Sequence, residues 1–316
     1  MQTDKIASTH LGKKSKGSER YSPSLLVAIP REENRKQYGI TPSHHSHKLG
    51  ADVNEFANIM PAGETLFKGY DIWHAYEFSC LTENGIPVTR VIKLRYDCTS
   101  KYIVESKSLK LYLNSFNMTR LGKTVTESLE ICKKLIEKDL SEKLETKVLV
   151  NFLDNIAKKS EIFLDFKNIM DLVDESNIEI SSFKETPELL EVETCSKKTE
   201  YRLTFDSLRS NCRVTHQPDF GDVFIYYKSK KHIKEDSLLK YLVSFRSEYH
   251  FHEECCEMIF KRISDLLGED DSLMVCALYT RRGGIDISPF RYRNCNIKDI
   301  ENLADIKNFT RYGIKQ

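Results

Sequence analysis

Alternating and β-branched apolar positions predict strands in both halves of the chain, and helical periodicity follows them. Strand-like runs cover residues 86–96 and 147–153 in the first half, and 222–229 and 273–279 in the second. A helical pattern spans residues 125–140, and apolar residues recur at four-residue steps from Phe251 to Leu267. The predicted order in each half is strand, strand, helix, helix, strand, and a further strand is expected.

A repeated block links the two halves. Residues 108–116 (SLKLYLNSF) align with residues 237–245 (SLLKYLVSF), sharing Ser, Leu, Tyr, Leu, Ser and Phe at the same spacing. Neighbouring strands followed by adjacent helices favour an antiparallel sheet with helices on one face over alternating βαβ units. We therefore predict an α+β fold made of two similar modules.

Two segments lie outside this repeat. Residues 21–31 contain prolines that break a helix, which predicts an extended arm lying over the body. Residues 161–198 are charged and weakly periodic, which predicts a connecting segment. The expected regions are an arm at 1–60, a first module at 61–160, the connecting segment, and a second module at 199–316. His44, His45 and His47 could bind a metal, but their turn-rich surroundings favour a solvated loop.

Composition and charge narrow the class of protein. Lys and Arg number 48 against 47 Asp and Glu, so no positive excess is available to bind a nucleic acid backbone. No run approaches the roughly 20 apolar residues of a membrane helix, and the N-terminus lacks the apolar middle of a signal peptide. A cytoplasmic protein is expected. Nine irregularly spaced cysteines, an odd number, indicate reduced thiols.

Cys212 has a neighbourhood suited to chemistry. It lies in a polar, turn-rich stretch between two strand-like runs, which predicts a loop. A thiol attacks as its thiolate, which Arg213 and His216 could favour. Asp219 follows seven residues later and could exchange a proton with the sulfur. An incidental loop cysteine is the alternative.

A second candidate is the stretch 249–256 at the start of a predicted helix. His250, His252, Cys255 and Cys256 are zinc-ligand types, but the helical pattern places Cys255 on a different face from His252 and Cys256. Glu253 could instead accept two parallel N–H bonds from a guanine-like edge. An exposed glutamate without function is the remaining alternative.

Two further stretches could hold an anion. In residues 104–110 a strand gives way to a helix, whose N-terminus and Lys107 could hold a phosphate, although capping by Ser106 alone is equally compatible. In residues 280–285, Arg281 and Arg282 stand beside two glycines, a sequence that also makes an ordinary hairpin. No GxGxxG motif occurs, so a dinucleotide would bind outside a Rossmann fold.

Four motifs in order resemble the 7-cyano-7-deazaguanine reductases of queuosine biosynthesis, in the longer two-module form of that family. The motifs are residues 105–116, 212–219, 251–253 and 281–284, and residues 21–31 resemble the family's N-terminal segment. The resemblance implies tandem tunnelling-fold modules that bind a purine-like ligand between them. It also implies NADPH-dependent reduction of the nitrile 7-cyano-7-deazaguanine to its aminomethyl counterpart, a four-electron reaction.

The resemblance also implies roles for residues of this chain. Cys212 would form a thioimide with the nitrile and Asp219 would donate a proton. The residues implied for the deazaguanine are Val104, Glu105, Ser106, His252 and Glu253, and those implied for NADPH are Ser106, Lys107, Arg282 and Gly283. A small-molecule substrate, a homodimer, no resident metal and no direct nucleic acid partner are expected. A zinc-dependent cyclohydrolase on the same fold and a non-catalytic purine-binding module are the alternatives.

Overall fold

The structure is a computed structural model, and it describes residues 20–37, 40, 66–153, 163–295 and 297–310. The histidine cluster at 44–47 and most of the predicted arm lie outside these residues. The strands are β1 (Ala28–Pro30), β2 (Lys68–Leu81), β3 (Pro87–Asp97), β4 (Tyr102–Val104), β5 (Val148–Leu153), β6 (Lys167–Asn168), β7 (Val192–Cys212), β8 (Pro218–Ile233), β9 (Tyr249–His250), β10 (Ser272–Tyr279) and β11 (Ile285–Arg293). The helices are α1 (Glu32–Gln37), α2 (Ser106–Asn114), α3 (Val125–Leu144), α4 (Glu235–Val243), α5 (His252–Leu266) and α6 (Ile297–Ala304).

Nine of the described strands form one sheet that runs through both halves of the chain. Its order is β5-β3-β2-β11-β10-β8-β7-β6, with β9 also paired to β7. The short strands β6 and β9 are parallel to β7, and the other pairs are antiparallel. β2 of the first half pairs with β11 of the second, from Ala75↔Ile285 to Lys68↔Tyr292. The predicted α+β class with a mainly antiparallel sheet is confirmed.

The two faces of the sheet bury different helices. Trp73 of β2 packs in the same cluster as apolar residues of α2 and α3, while α4 and α5 cover the second half on that face. The adjacent Ile72 points to the opposite face, where it packs with Ile300 and Leu303 of α6. The prediction of helices on one face only is therefore incomplete, because α6 covers the other face. This C-terminal helix is too short for its periodicity to be recognised in the sequence. None of the described helices has the length and apolar character needed to span a membrane.

The repeated blocks occupy corresponding places. Residues 108–116 lie mainly in α2 and 237–245 mainly in α4, and each of these helices follows a pair of neighbouring strands. Ser108 Oγ and Ser237 Oγ each donate to the carbonyl three residues earlier, at 2.7 and 2.8 Å. Matching hydrogen bonds at matching positions support a duplication of the two halves.

The duplication extends to the segments that precede each half. Val27 N–H donates to Ser108 Oγ at 3.0 Å, and Glu191 N–H donates to Ser237 Oγ at 3.1 Å. Each incoming segment also contains a one-turn 3-10 helix that starts at a proline, Pro23–Leu25 and Pro187–Leu189. The end of the predicted connecting segment thus corresponds to part of the arm.

Gly69 lies where β2 meets β11 and has no room for a side chain. Its φ is +154°, and a Cβ there would lie 2.0 Å from the backbone oxygen of Phe290. Gly69→Ala is expected to lower the free energy of unfolding by about 1–3 kcal/mol, because the two strands that join the halves would have to separate. Denaturant unfolding of the variant and of Gly268→Ala, whose Cβ would meet only a side-chain oxygen at 3.2 Å, measures the difference. Equal stability of the two variants would contradict this account of the junction.

Candidate active site

Cys212 is the last residue of β7, next to a tight hairpin, and not in a loop as predicted. Its N–H donates to Gln217 O at 2.8 Å, and its carbonyl accepts from His216 N–H at 2.9 Å. Strand pairing therefore continues to the cysteine itself. Cys212 is partly exposed, whereas four cysteines that lie within apolar runs of the sequence are buried: Cys80, Cys98, Cys132 and Cys276.

Asp219 lies across the hairpin from the cysteine and on the same face. It pairs with Ser210 in the β7–β8 ladder, and Ser210 and Cys212 are two residues apart, so the three side chains share a face. Asp219 is buried, and its Oδ1 lies 3.1 Å from His252 Nε2 and 2.9 Å from Arg282 Nη2. A buried carboxyl group held by two donors beside a thiol can transfer protons to and from a group bound at the sulfur.

The first turn of α5 presents His252 and Glu253. Helix α5 begins there because Glu254 accepts a bond from the Phe251 N–H at 3.0 Å and closes the helix N-terminus. The His252 ring stacks on Tyr279 with ring centroids 3.8 Å apart and planes at 6°. Its Nδ1 is buried and has no hydrogen-bond partner among the described residues, so it is available to a ligand.

Glu253 is a buried carboxyl group with spare hydrogen-bonding capacity. It is 3% exposed, and its Oε1 has no hydrogen-bond partner in the described part of the chain. Burial, reinforced by the negative charge of Asp71, raises the pKa of Glu253 to about 8. The exposed glutamate considered from the sequence is therefore wrong. A buried acceptor without a partner is costly unless a ligand supplies the donor.

The first half supplies Val104, Glu105, Ser106 and Lys107 from the β4–α2 junction. The Glu105 carboxylate caps α2, accepting from Lys107 N–H at 2.9 Å and Ser108 N–H at 2.7 Å. Capping by Ser106 is wrong, since Ser106 is the first helical residue. The cap uses two N–H groups that a phosphate would otherwise bind, which leaves the exposed Lys107 side chain as the cation at this end.

Tyr96 relates this junction to Glu253. Val104 N–H donates to the Tyr96 hydroxyl at 3.4 Å. Burial raises the pKa of Tyr96, and the negative charges of Asp71 and Glu253 raise it further. Val104 of the first half therefore bonds a tyrosine whose pKa responds to the charge of Glu253 in the second half.

Arg282 and Gly283 lie in the turn between β10 and β11, as the hairpin alternative predicted. Arg282 N–H donates to Ile285 O at 2.8 Å, and φ values of 55° at Gly283 and 78° at Gly284 fit a two-residue hairpin turn. A Cβ at Gly283 would lie 2.9 Å from Lys110 Nζ on α2, about one turn beyond Lys107. The turn therefore lies beside the helix that begins at Ser106, although the Arg282 guanidinium itself is bonded to Asp219.

The side chains considered for zinc or for thiolate stabilisation make other contacts. His250 pairs with Glu248 at 2.9 Å and with Glu254 at 3.5 Å, while Cys255 and Cys256 are buried in the core. Arg213 Nη1 lies 3.2 Å from Glu254. Among the described residues, no three His, Cys, Asp or Glu side chains converge as a metal site. The zinc ligands considered from the sequence are thus dispersed.

Two residues that contribute to the site were not predicted from the sequence. Tyr279 stacks on His252 from the end of β10, and Asn211 donates from Nδ2 to Arg246 O at 3.1 Å, which holds the cysteine strand against the segment before α5. Each adjoins a predicted site residue or motif along the chain, but stacking and cross-strand bonds depend on tertiary contacts that the sequence does not display.

The structure defines the class of protein as an antiparallel α+β protein with a partly exposed cysteine beside a buried carboxyl–histidine–arginine group.

Two protein-family models match the chain: "Nitrile reductase, 7-cyano-7-deazaguanine-reductase N-term" over residues 57–152 and "QueF-like protein" over residues 218–298. The chain is 38% identical over 301 residues to the NADPH-dependent 7-cyano-7-deazaguanine reductase of Legionella pneumophila (strain Lens), covering 95% of this chain and 94% of that protein.

Proteins of the same name from two other organisms are similarly close. That of Colwellia psychrerythraea is 37% identical, covering 89% of this chain and 90% of the relative, and that of Rickettsia bellii (strain OSU 85-389) is 38% identical, covering 92% and 95%. The chain belongs to the family of NADPH-dependent 7-cyano-7-deazaguanine reductases.

Proposed function

We propose that this protein reduces the nitrile 7-cyano-7-deazaguanine to 7-aminomethyl-7-deazaguanine with NADPH, in queuosine biosynthesis, through a thioimide on Cys212. The observation that carries the proposal is the shared face of Cys212 and buried Asp219. Addition of a thiol across a nitrile forms a C–S bond and moves one proton from sulfur to nitrogen. A carboxyl group beside the sulfur can accept and return that proton.

Glu253 and His252 would hold the deazaguanine ring. The ionised Glu253 carboxylate accepts the ring N–H and the exocyclic amino group, which satisfies its free Oε1. His252 Nδ1 offers a second contact while Nε2 stays on Asp219. Val104, Glu105 and Ser106 would contribute from the first half, so that one half positions the ring and the other reacts.

The exposed cationic side of the site fits the cofactor. Lys107 is exposed and forms no ion pair with the described residues, and the turn at Arg282 and Gly283 lies beside its helix. When bound, NADPH supplies the hydride for each of two successive reductions, and two protons complete the four-electron change. Arg282 holds Asp219 and would also approach the cofactor, so it would couple the acid to the cofactor site.

We further propose that the halves are tandem tunnelling-fold modules, at residues 61–160 and 199–316, in a cytoplasmic homodimer without direct nucleic acid contact. The β2–β11 junction and the matched serines of α2 and α4 support two similar modules. Strand β7 begins at Val192, so part of the connecting segment contributes to the second module.

Lys107→Ala is expected to raise the Michaelis constant for NADPH by roughly 10-fold or more, since a charge-assisted bond to phosphate contributes about 1.5–3 kcal/mol. The constant for NADH should change little, because NADH lacks that phosphate. Lys110→Ala is the matched control, as Lys110 lies on the same helix but pairs with Glu77 at 3.6 Å. Steady-state rates with both cofactors measure the two Michaelis constants. An equal rise in the constant for NADH would mean that the phosphate of NADPH is held elsewhere.

The reaction itself is tested by adding 7-cyano-7-deazaguanine to protein and NADPH and following the absorbance of the reduced nicotinamide. We expect oxidation only when the nitrile is present, unaffected by a metal chelator. Oxidation that the chelator abolishes would favour a metal-dependent enzyme. Tight nitrile binding without any oxidation would favour a non-catalytic purine-binding module.

A further inference from the structure

A buried group of five charged side chains lies behind Glu253, and we call it the arm cluster. Its members come from the arm, from both sheet strands at the junction and from α5: Arg31, Arg35, Asp71, Glu257 and Arg291. Arg291 Nη2 lies 2.9 Å from Asp71 and 2.8 Å from Glu257. The cluster therefore ties the two halves and the arm together in the interior.

Arg31 is the member that joins the arm to both carboxylates. Its Nη2 donates to Asp71, and its Nη1 lies 3.9 Å from Glu257 Oε1. Its Nε donates to Ser100 Oγ at 3.2 Å. Arg31 lies outside both matched family models, which cover residues 57–152 and 218–298.

The charges in the arm cluster do not cancel. Although burial opposes it, Arg35 and Arg291 hold the pKa of Glu257 at about 2, and Arg291 and Arg31 likewise lower the pKa of Asp71 against its burial. Both carboxylates are thus ionised at neutral pH. Three guanidinium groups against two carboxylates leave one positive charge, and a buried charge without a counter-charge is costly.

Glu253 is an acid whose ionised form would offset the surplus positive charge of the arm cluster. It precedes Glu257 by four residues on α5, so the two carboxyl groups share a helix face. The charged and titratable groups near it are Asp71 on β2, Tyr96 on β3, Arg31 on the arm, Arg291 on β11 and Glu257 on α5. Among them, Arg31 and Arg291 favour the ionised form of Glu253, while Asp71 opposes it.

We infer that Arg31 is a positioning residue, whose charge favours the ionised form of Glu253, the form that accepts the two N–H bonds of the deazaguanine ring. The inference rests on the proposed function. It assigns the arm a part in substrate recognition, although the side-chain bonds of Arg31 within the described part of the chain go to Asp71, Ser100 and Glu257. Arg31 acts through Glu253 and α5, not on the substrate.

The consequence is a pH dependence of substrate binding. The ionised fraction of Glu253 rises as pH increases through about 8, so the Michaelis constant for the nitrile should fall over that range. Arg31→Gln removes a favourable charge and should move this fall to higher pH by about one unit. The Michaelis constant at neutral pH should then rise about 10-fold and recover at higher pH, with little change in kcat.

Asp71→Asn should move the pH profile of the Michaelis constant in the opposite direction. Removing the negative charge that opposes ionisation should move the fall to lower pH. Arg35→Gln is the matched control, since Arg35 also lies on the arm and pairs with Glu257 at 2.6 Å, whereas the largest charge effects on the pKa of Glu253 come from Asp71, Arg31 and Arg291. Its profile should stay where the wild-type profile lies, whatever stability it loses. Arg31→Lys, which keeps the charge, should restore the wild-type profile.

The experiment is the Michaelis constant for 7-cyano-7-deazaguanine from about pH 6 to pH 10 in the wild type and these four variants. Opposite shifts for Arg31→Gln and Asp71→Asn, with Arg35→Gln unshifted, support the inference. The inference is overturned if the pH profile of Arg31→Gln coincides with that of the wild type, or if its Michaelis constant is raised by the same factor at every pH. If Arg31→Gln does not fold, an unshifted Asp71→Asn profile overturns it instead. A wild type that never oxidises NADPH with the nitrile overturns the proposed function as well, so the two failures are distinguishable.

Discussion

Cys212→Ser is expected to abolish both the covalent adduct and nitrile reduction. A serine hydroxyl at this position has no adjacent base strong enough to make it add to a nitrile. A thiol with the ordinary pKa of a cysteine is already a few per cent ionised at neutral pH. Intact-mass measurement of protein incubated with the nitrile, without NADPH, should show one added ligand in the wild type and none in the variant.

Cys195→Ser is the matched control for this experiment. Cys195 is also partly exposed and also lies on β7, but far along the strand from the hairpin. The control should keep the adduct and its rate of reduction. An adduct that persists in Cys212→Ser, or that disappears in Cys195→Ser, would contradict the assignment of the nucleophile.

Asp219→Asn is expected to lower kcat by about 10²–10⁴-fold, the usual contribution of a positioned acid–base group. The amide keeps the size of the side chain but can neither accept nor return a proton. Nitrile binding should change far less, because Glu253 holds the ring. Single-turnover rates of adduct formation, measured beside equilibrium binding, separate these two effects.

Asp222→Asn controls for loss of a buried charge on the same strand. Asp222 is also buried, and its place three residues further along β8 puts it on the opposite face from Asp219. It should keep most of the wild-type rate. Equal losses of kcat in both variants would mean that Asp219 supports the fold of β8 and does not act on the substrate.

Local patterns predict most of the strands and long helices because each is determined by neighbouring residues. The helical pattern at 125–140 corresponds to α3, and the strand pattern at 273–279 to β10, each with boundaries within a few residues. Cys212 and Asp219 come together for the same reason. A tight hairpin brings residues seven positions apart onto one face of two paired strands.

The contacts that escaped prediction are non-local. Nothing near Gly69 in sequence indicates that its strand pairs with β11, more than 200 residues later. Arg31 likewise finds Asp71 and Glu257 only in the folded chain, and its neighbours in sequence indicate no more than an extended arm. Charged residues carry no periodicity of their own, so burial of three arginines behind Glu253 is visible only in the structure.

Reduction of a nitrile to an amine takes four electrons, so the ratio of NADPH oxidised to amine formed is the decisive measurement. A limiting, measured amount of 7-cyano-7-deazaguanine is reacted to completion, and NADPH oxidised and amine formed are quantified in the same sample. We expect two NADPH oxidised for each 7-aminomethyl-7-deazaguanine formed, with no imine or aldehyde accumulating. One NADPH per nitrile consumed, or product formed without oxidation of NADPH, would show that the protein does not carry out this reduction.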